Sequence, residues 1–184
     1  MEKNNMTIKQ QIIISGVGGQ GVLFVTRLLA EAAMMKGYPV LTSETHGMAQ
    51  RGGTVVSHLK VGDFSSPLIR PFSADGLLAL KPESLAQHSG IVKSGGWAIV
   101  NSSRPLQPSG GLMVTSVDAD TLAGTVGNLK AVNLIMLGAA LSKLSPNDLF
   151  CTLADIQAVL NTQISDTPSK LEKFSAAIIT GYRV

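Results

Sequence analysis

Gln11-Ile12-Ile13-Ile14-Ser15-Gly16-Val17-Gly18-Gly19-Gln20-Gly21 is the segment from which the fold can be inferred. A short β-branched run that ends in glycines predicts a parallel strand buried on both faces. From Val22 to Lys36, apolar residues recur at helical spacing (Leu23, Leu28, Ala30, Ala33, Met34), and Gly37 is placed as a helix C-cap. Pro39 to Ser43 is a second short strand. Strand, glycine turn, helix and strand make a βαβ unit, for which the right-handed crossover is the rule.

Downstream of this unit, Glu44 to Gly53 has no apolar period and is expected as a loop. Thr54 to Lys60, Gly76 to Leu80, Trp97 to Asn101 and Met113 to Val117 read as strands. Pro82 to His88 and Asp118 to Ala123 read as short helices, with Pro82 near N1 and Asp118 as N-cap. Ser102 to Gly111 is Pro/Ser/Gly-rich and reads as an exposed loop. Ala131 to Leu144, with Gly138, Ala139 and Ala140 permitting close packing, is a helix. Ser145-Pro146 then caps a further helix expected over Pro146 to Leu160, and Lys170 to Tyr182 is the last. Strands alternate with helices early and helices gather late. The predicted fold class is α/β: a three-layer α/β/α sandwich with a mostly parallel, Rossmann-like sheet and helices clustered at the C-terminal end, in a single domain over 1–184.

Composition narrows the function classes. Apolar residues are 45% and charged residues 15% of the 184, which excludes a disordered chain. Lys plus Arg is 15 against 12 for Asp plus Glu; a scattered excess of +3 with 4% aromatics does not suit nucleic acid. The single cysteine, Cys151, leaves no internal disulfide, no self-contained iron–sulfur cluster and no cysteine-rich zinc site. Mean hydropathy is +0.26, which fits a surface covered by a partner. No stretch is apolar enough for a membrane span and Met1 to Gln10 lacks a signal-peptide core, so the expected location is cytoplasmic.

Two motifs carry the candidate chemistry. Gly16-x-Gly18-x-x-Gly21 follows a strand and opens a helix, the setting of a dinucleotide fingerprint. There the first glycine permits the turn, the second admits a pyrophosphate and the third lets the helix pack on the strand. Glu44 would then be the ribose-binding acid, and a free-standing NAD- or FAD-binding domain is the alternative reading. A tight βα turn without ligand uses the same glycines. Either way, Gly16, Gly18, Gly19, Gln20 and Gly21 are candidates to hold an anion at the helix N-terminus. The second motif, Glu44-Thr45-His46-Gly47-Met48-Ala49-Gln50-Arg51-Gly52-Gly53, mixes an acid, a histidine and an arginine with glycines. Arg51 could fork onto a carboxylate or phosphate and His46 could move a proton, or Glu44 and Arg51 could pair and simply shape the loop. His58, in an alternating strand, reads as a satisfied half-buried residue, His88 as a helix-end surface residue and Cys151 as a small core or surface residue. No nucleophile–base set and no metal-ligand spacing can be assembled, so no catalytic residue and no metal ligand is assigned.

Together, Gly16-Val17-Gly18-Gly19-Gln20-Gly21 and the Glu-x-His-Gly-Met-Ala-Gln-Arg-Gly-Gly stretch resemble the gamma-type subunit of the 2-oxoacid:ferredoxin (acceptor) oxidoreductases. The second motif looks most like the beta subunit of the indolepyruvate branch. Ala74-Asp75, Val117-Asp118, Asn133, Leu137-Gly138 and the ending Ala177 to Tyr182 extend the match over nearly the whole chain, whereas Lys81 and Gly76 depart from the usual pattern. The resemblance implies an accessory subunit of an enzyme that decarboxylates a 2-oxoacid on thiamine diphosphate, joins the acyl group to coenzyme A and passes electrons through iron–sulfur clusters to ferredoxin. It puts thiamine diphosphate, Mg²⁺ and the clusters on partner subunits and makes coenzyme A a co-substrate. It implies that the glycine turn meets an anionic group such as a coenzyme A phosphate, and that Glu44, His46, Gly47, Met48, Arg51, Gly52 and Gly53 edge the active site at the partner contact. It implies no nucleic-acid or membrane partner, and an isolated chain without turnover.

Overall fold

A computed structural model describes residues 8–46, 53–107 and 110–184. Strand β1 (Gln10–Val17) runs into the glycine turn and helix α1 (Val22–Met35). Strands β2 (Val40–His46) and β3 (Thr54–Val61) follow, then β4 (Ala74–Ala79), the short helix α2 (Glu83–His88), β5 (Val92–Asn101) and β6 (Met113–Val117). Helices α3 (Ala119–Thr125), α4 (Val132–Lys143), α5 (Leu153–Gln163) and α6 (Pro168–Tyr182) close the chain. The six strands are ordered β2-β3-β1-β4-β5-β6.

β1, β4, β5 and β6 pair in parallel, as the sequence predicts, but β3 lies antiparallel between β1 and β2. This corrects the simple βαβ unit. β2 still points the same way as β1, yet one strand separates them. Glu44, Thr45 and His46 also belong to β2, where His46 stands opposite Val55; the loop that joins β2 to β3 is therefore shorter than predicted.

Alternate residues of β1 serve opposite faces, which explains why Ile12-Ile13-Ile14 is uninterrupted. Ile12 and Ile14 pack with Leu59, Leu78 and Ile99 under α1 and the late helices. Ile13 packs with Leu77, Ala98 and Val100 under Leu85 of α2. The second helical layer is thin: α2 and loop residues such as Ile69 and Leu112 cover that face. On the other face, α4 and α6 cross at two glycines. A Cβ on Gly138 would lie 2.1 Å from the Ile178 carbonyl oxygen, and one on Gly181 would lie 1.9 Å from that of Ile135. Each glycine admits the other helix's backbone. Gly76 also has a local cause: the Trp97 ring of the neighbouring strand lies over it, and a Cβ there would meet the ring at 1.9 Å.

Helix α5 begins later than predicted. Ser145 holds a turn through its carbonyl, which accepts from the Asp148 and Leu149 amides, while its hydroxyl donates to Asp148. Long-range bonds hold the residues that follow out of a helix. The Gln10 side chain donates to the Asn147 carbonyl and accepts from the Phe150 amide, and the Trp97 indole N–H donates to the Asp148 carbonyl. The helix starts after Thr152, which forms a capping box with Asp155.

Candidate functional site

The carboxyl ends of the parallel strands gather the candidate residues. β1 ends opposite the start of β3, with Val17 level with Thr54. Just beyond that pair, the Gly18 amide donates to the Gly53 carbonyl oxygen at 3.1 Å. The last glycine of the second motif is thus hydrogen-bonded to the middle glycine of the first, and the two motifs share one edge of the sheet. Gly47, Met48, Arg51 and Gly52 lie outside the described residues; the strand and chain positions on either side of them, His46 and Gly53, stand at this edge. Glu44 is an exposed residue of β2, opposite Ser57.

The glycines divide their work differently from the dinucleotide pattern. Gly16 is crowded: a Cβ there would lie 2.8 Å from Gln20 Oε1 and 3.1 Å from both Leu80 and Val22. Gln20 ties the turn together, accepting from the Val17 amide at 2.9 Å and donating to the Leu80 carbonyl at 3.4 Å. Gly21 is the α1 N-cap in the left-handed region (φ 78°), and a Cβ there would strike Asn133 Nδ2 of α4 at 2.2 Å. Gly18 is the exception. Its φ is not left-handed, and the nearest atom to an added Cβ is the Gly53 oxygen at 4.0 Å. Among the described residues, nothing in the packing requires glycine at position 18.

Two of the five candidate anion holders have their amides engaged: Gly18 donates to Gly53 and Gln20 donates to Val17. The amides of Gly19 and Gly21 make no hydrogen bond among the described residues. Beside them opens a cleft of about 470 Å³ whose other walls are the apolar Val17, Leu23, Phe24 and Val55.

The topology also removes the ribose-binding role for Glu44. In a dinucleotide fold the acid ends the strand adjacent to β1. Here β3 occupies that place and β2 is the next strand out. At about 4.8 Å per strand, the backbone bearing Glu44 is roughly 10 Å from β1 instead of about 5 Å.

The remaining candidates are structural. His58 is buried, with 7% exposed, and its Nδ1 accepts from the Ile69 amide at 3.3 Å. Burial first, then the His88 and Lys60 charges, lower its pKa. His88, expected as a helix-end surface residue, is half-buried: its Nε2 is buried with no hydrogen-bond partner among the described residues, and burial lowers its pKa. Cys151 is a core residue whose thiol is pushed up to about 12, chiefly by burial. Among the described residues, no group of three or more His, Cys, Asp or Glu side chains could hold a metal, and no helix is long and apolar enough to cross a membrane.

A model of the pyruvate ferredoxin/flavodoxin oxidoreductase family matches residues 11–183. The chain belongs to that family. Within the family it is 34% identical over 151 residues to the indolepyruvate oxidoreductase subunit IorB of Archaeoglobus fulgidus, covering 71% of this chain and 75% of that one. Its fold matches the gamma subunit of a keto/oxoacid ferredoxin oxidoreductase from Geobacter sulfurreducens, with a TM-score of 0.76, 25% identity and coverage of 95% and 96%. It also matches 30% of the chain of the 2-oxoglutarate:ferredoxin oxidoreductase from Magnetococcus marinus, solved with 2-oxoglutarate, coenzyme A and succinyl-CoA bound, at a TM-score of 0.75 over 95% of this chain. At 19% identity the last match speaks for the fold alone. The family assignment and the six-strand α/β architecture agree with the resemblance carried by the two motifs.

Proposed function

We propose that the chain is the gamma-type accessory subunit of a thiamine-diphosphate-dependent 2-oxoacid:ferredoxin oxidoreductase, with indolepyruvate as the substrate type, and that it acts through the carboxyl edge of its sheet. The observation that carries this reading is the hydrogen bond from the Gly18 amide to the Gly53 carbonyl oxygen, which makes one surface of two motifs thirty-odd residues apart. Open α/β sheets place ligands and functional loops at this edge. The surface also leaves Gly18 without a side chain where the packing of the described residues does not need its absence, as expected where another molecule comes close to backbone.

In this reading the chain contributes shape and contact. Thiamine diphosphate, Mg²⁺ and the iron–sulfur clusters reside on partner subunits, and ferredoxin is met only through them. The chain's own donors do not suit a cluster, which takes four thiolates, since the sequence has one cysteine and it is buried. Coenzyme A suits the glycine edge better: the Gly19 and Gly21 amides can meet a phosphate oxygen, and Leu23, Phe24 and Val55 offer an apolar wall. Coenzyme A supplies the thiol that takes up the acyl group. Arg51 pairs with a carboxylate of the thiamine-bearing subunit, and Met48 and the glycines fit closely around it. The assembly works in the cytoplasm, and the chain alone has no turnover.

The test is Arg51→Ala. A buried partner acid left unpaired costs about 2–5 kcal/mol of association, whereas an exposed pair within the isolated chain contributes about 0–1 kcal/mol. The variant should therefore melt like the parent on its own and assemble poorly with the thiamine-bearing subunit in size-exclusion or sedimentation experiments. A lowered melting temperature in the isolated chain, with assembly of the surviving protein intact, would assign the loop a purely structural role.

A further inference from the structure

The opposite, amino-terminal edge of the sheet holds a second polar cleft. It lies where β1 begins and β3 ends, with Gln11 level with Lys60. Lys60 is only 7% exposed. Its ammonium sits 5.0 Å above the Phe64 ring, and the Lys9 ammonium approaches the same ring at 5.5 Å. No carboxylate among the described residues pairs with it. Asp75 of the neighbouring stretch accepts from the Gln11 amide at 2.7 Å and from Lys93 at 2.5 Å. The stem of Lys60 is buried in β3 while its ammonium reaches the solvent-facing cleft, so the charge is displayed there and not sealed in the core.

The cleft over Lys60 has a volume of about 180 Å³ and is lined also by Arg70, Ser65 and Ser66. Arg70, exposed at the cleft, is a second cation with no ion pair among the described residues. Both cations line the same cleft, and the Arg70 charge, after burial, lowers the Lys60 pKa. Ser65 and Ser66 are exposed and bring two hydroxyls to the cleft wall. The rim is held in place beforehand: the Ile69 amide donates to buried His58, and the Phe72 and Ser73 amides donate to the Gly90 and Ile91 carbonyls. Phe72 takes up a left-handed conformation (φ 56°), unusual for an aromatic residue, within this anchored stretch. Two cations and two exposed hydroxyls around a small cleft match the oxygens of a phosphoryl group, which takes several charge-assisted donors at once.

We infer that the Lys60–Arg70 cleft is a binding site for the phosphoryl group of a small ligand, separate from the glycine edge. Leu68, half exposed at the cleft wall, would border the ligand's organic portion.

The test is a titration of the full chain with inorganic phosphate at constant ionic strength, followed by amide NMR shifts of Ser65, Ser66 and Arg70. Saturable binding is expected, weakened roughly tenfold or more by Lys60→Met and by Arg70→Gln and retained by Lys60→Arg, as befits charge-assisted contacts. Acetate at equal ionic strength should leave these amides unmoved. Arg70 is exposed, so its variant keeps the test decisive if Lys60→Met fails to fold. Non-saturating shifts, an unchanged affinity in Arg70→Gln, or acetate binding as well as phosphate would each overturn the assignment. None of these outcomes bears on assembly at the other edge of the sheet, which the Arg51 variant tests separately.

Discussion

Gly18 separates a fold requirement from a functional one. Replacing it by alanine puts a Cβ 4.0 Å from the Gly53 oxygen, an ordinary van der Waals contact, at a φ outside the left-handed region. The loss of unfolded-state freedom should then stabilise the isolated chain by about 0.4–1 kcal/mol, or roughly 1–4 °C in Tm for a chain of this size. Gly21→Ala is the contrast. It forces a left-handed φ on alanine, about 1–2 kcal/mol, and displaces Asn133, whose Nδ2 donates to the Gly21 carbonyl at 3.4 Å, about 1 kcal/mol more. The sum, about 2–3 kcal/mol, lowers Tm by roughly 4–12 °C. In the assembled enzyme the order reverses. A side chain at position 18, alanine and more so valine, stands over the neighbouring amides and weakens a hydrogen bond to an anionic group, itself worth about 1.5–3 kcal/mol. The KM for coenzyme A should rise roughly tenfold to a hundredfold. The assays are thermal melts of the isolated chain and coenzyme A titration of the complex. A Gly18→Val protein that melts, assembles and uses coenzyme A like the parent would refute the reasoning.

Gly181→Ala drives a methyl group into the Ile135 carbonyl of α4 and should lower the unfolding free energy by about 1–3 kcal/mol in a urea titration, despite alanine's better helix propensity. Cys151, buried with its thiol pushed up to about 12, should react with a thiol reagent near neutral pH only as fast as the chain unfolds. His58 and His88 have folded pKa values below the ordinary 6.5. Their neutral forms therefore contribute stability that is complete above 6.5 and is lost as pH falls from there through the folded values, because the unfolded chain takes up protons first. The urea midpoint should hold steady above about pH 6.5 and drop as pH falls below it, and the drop should shrink in His88→Gln.

What could be read in the sequence was local. The β-branched run, the glycine turn, α1 and its Gly37 cap are specified by neighbours a few residues apart, and the structure has them where the periodicity puts them. Strand order is a non-local property. Thr54 to Val61 has the same composition whether it pairs with β1 or with β4, so nothing in the segment announced that it would slip antiparallel between β1 and β2. The Ser145-Pro146 start signal was overridden by partners far away in sequence, Gln10 and Trp97. At the candidate site, the motifs gave the residues and the expected edge, while the Gly18–Gly53 bond and the freedom at Gly18 needed coordinates. Gly138 could be picked out as a small residue in a helix, but its counterpart Gly181 is forty-three positions away and invisible without the crossing. The Lys60 cleft left no signal, because a lysine at the end of a strand ordinarily reads as solvated.

The most direct measurement is reconstitution: 2-oxoacid- and coenzyme A-dependent reduction of a viologen dye by the thiamine-bearing subunit, with Mg²⁺ and thiamine diphosphate supplied, in the presence and absence of this chain. The account predicts no turnover from this chain alone and coenzyme A-dependent turnover that appears, or rises steeply, when it joins its partner. Turnover by the isolated chain, or a partner whose activity and KM for coenzyme A do not change on its addition, would contradict it.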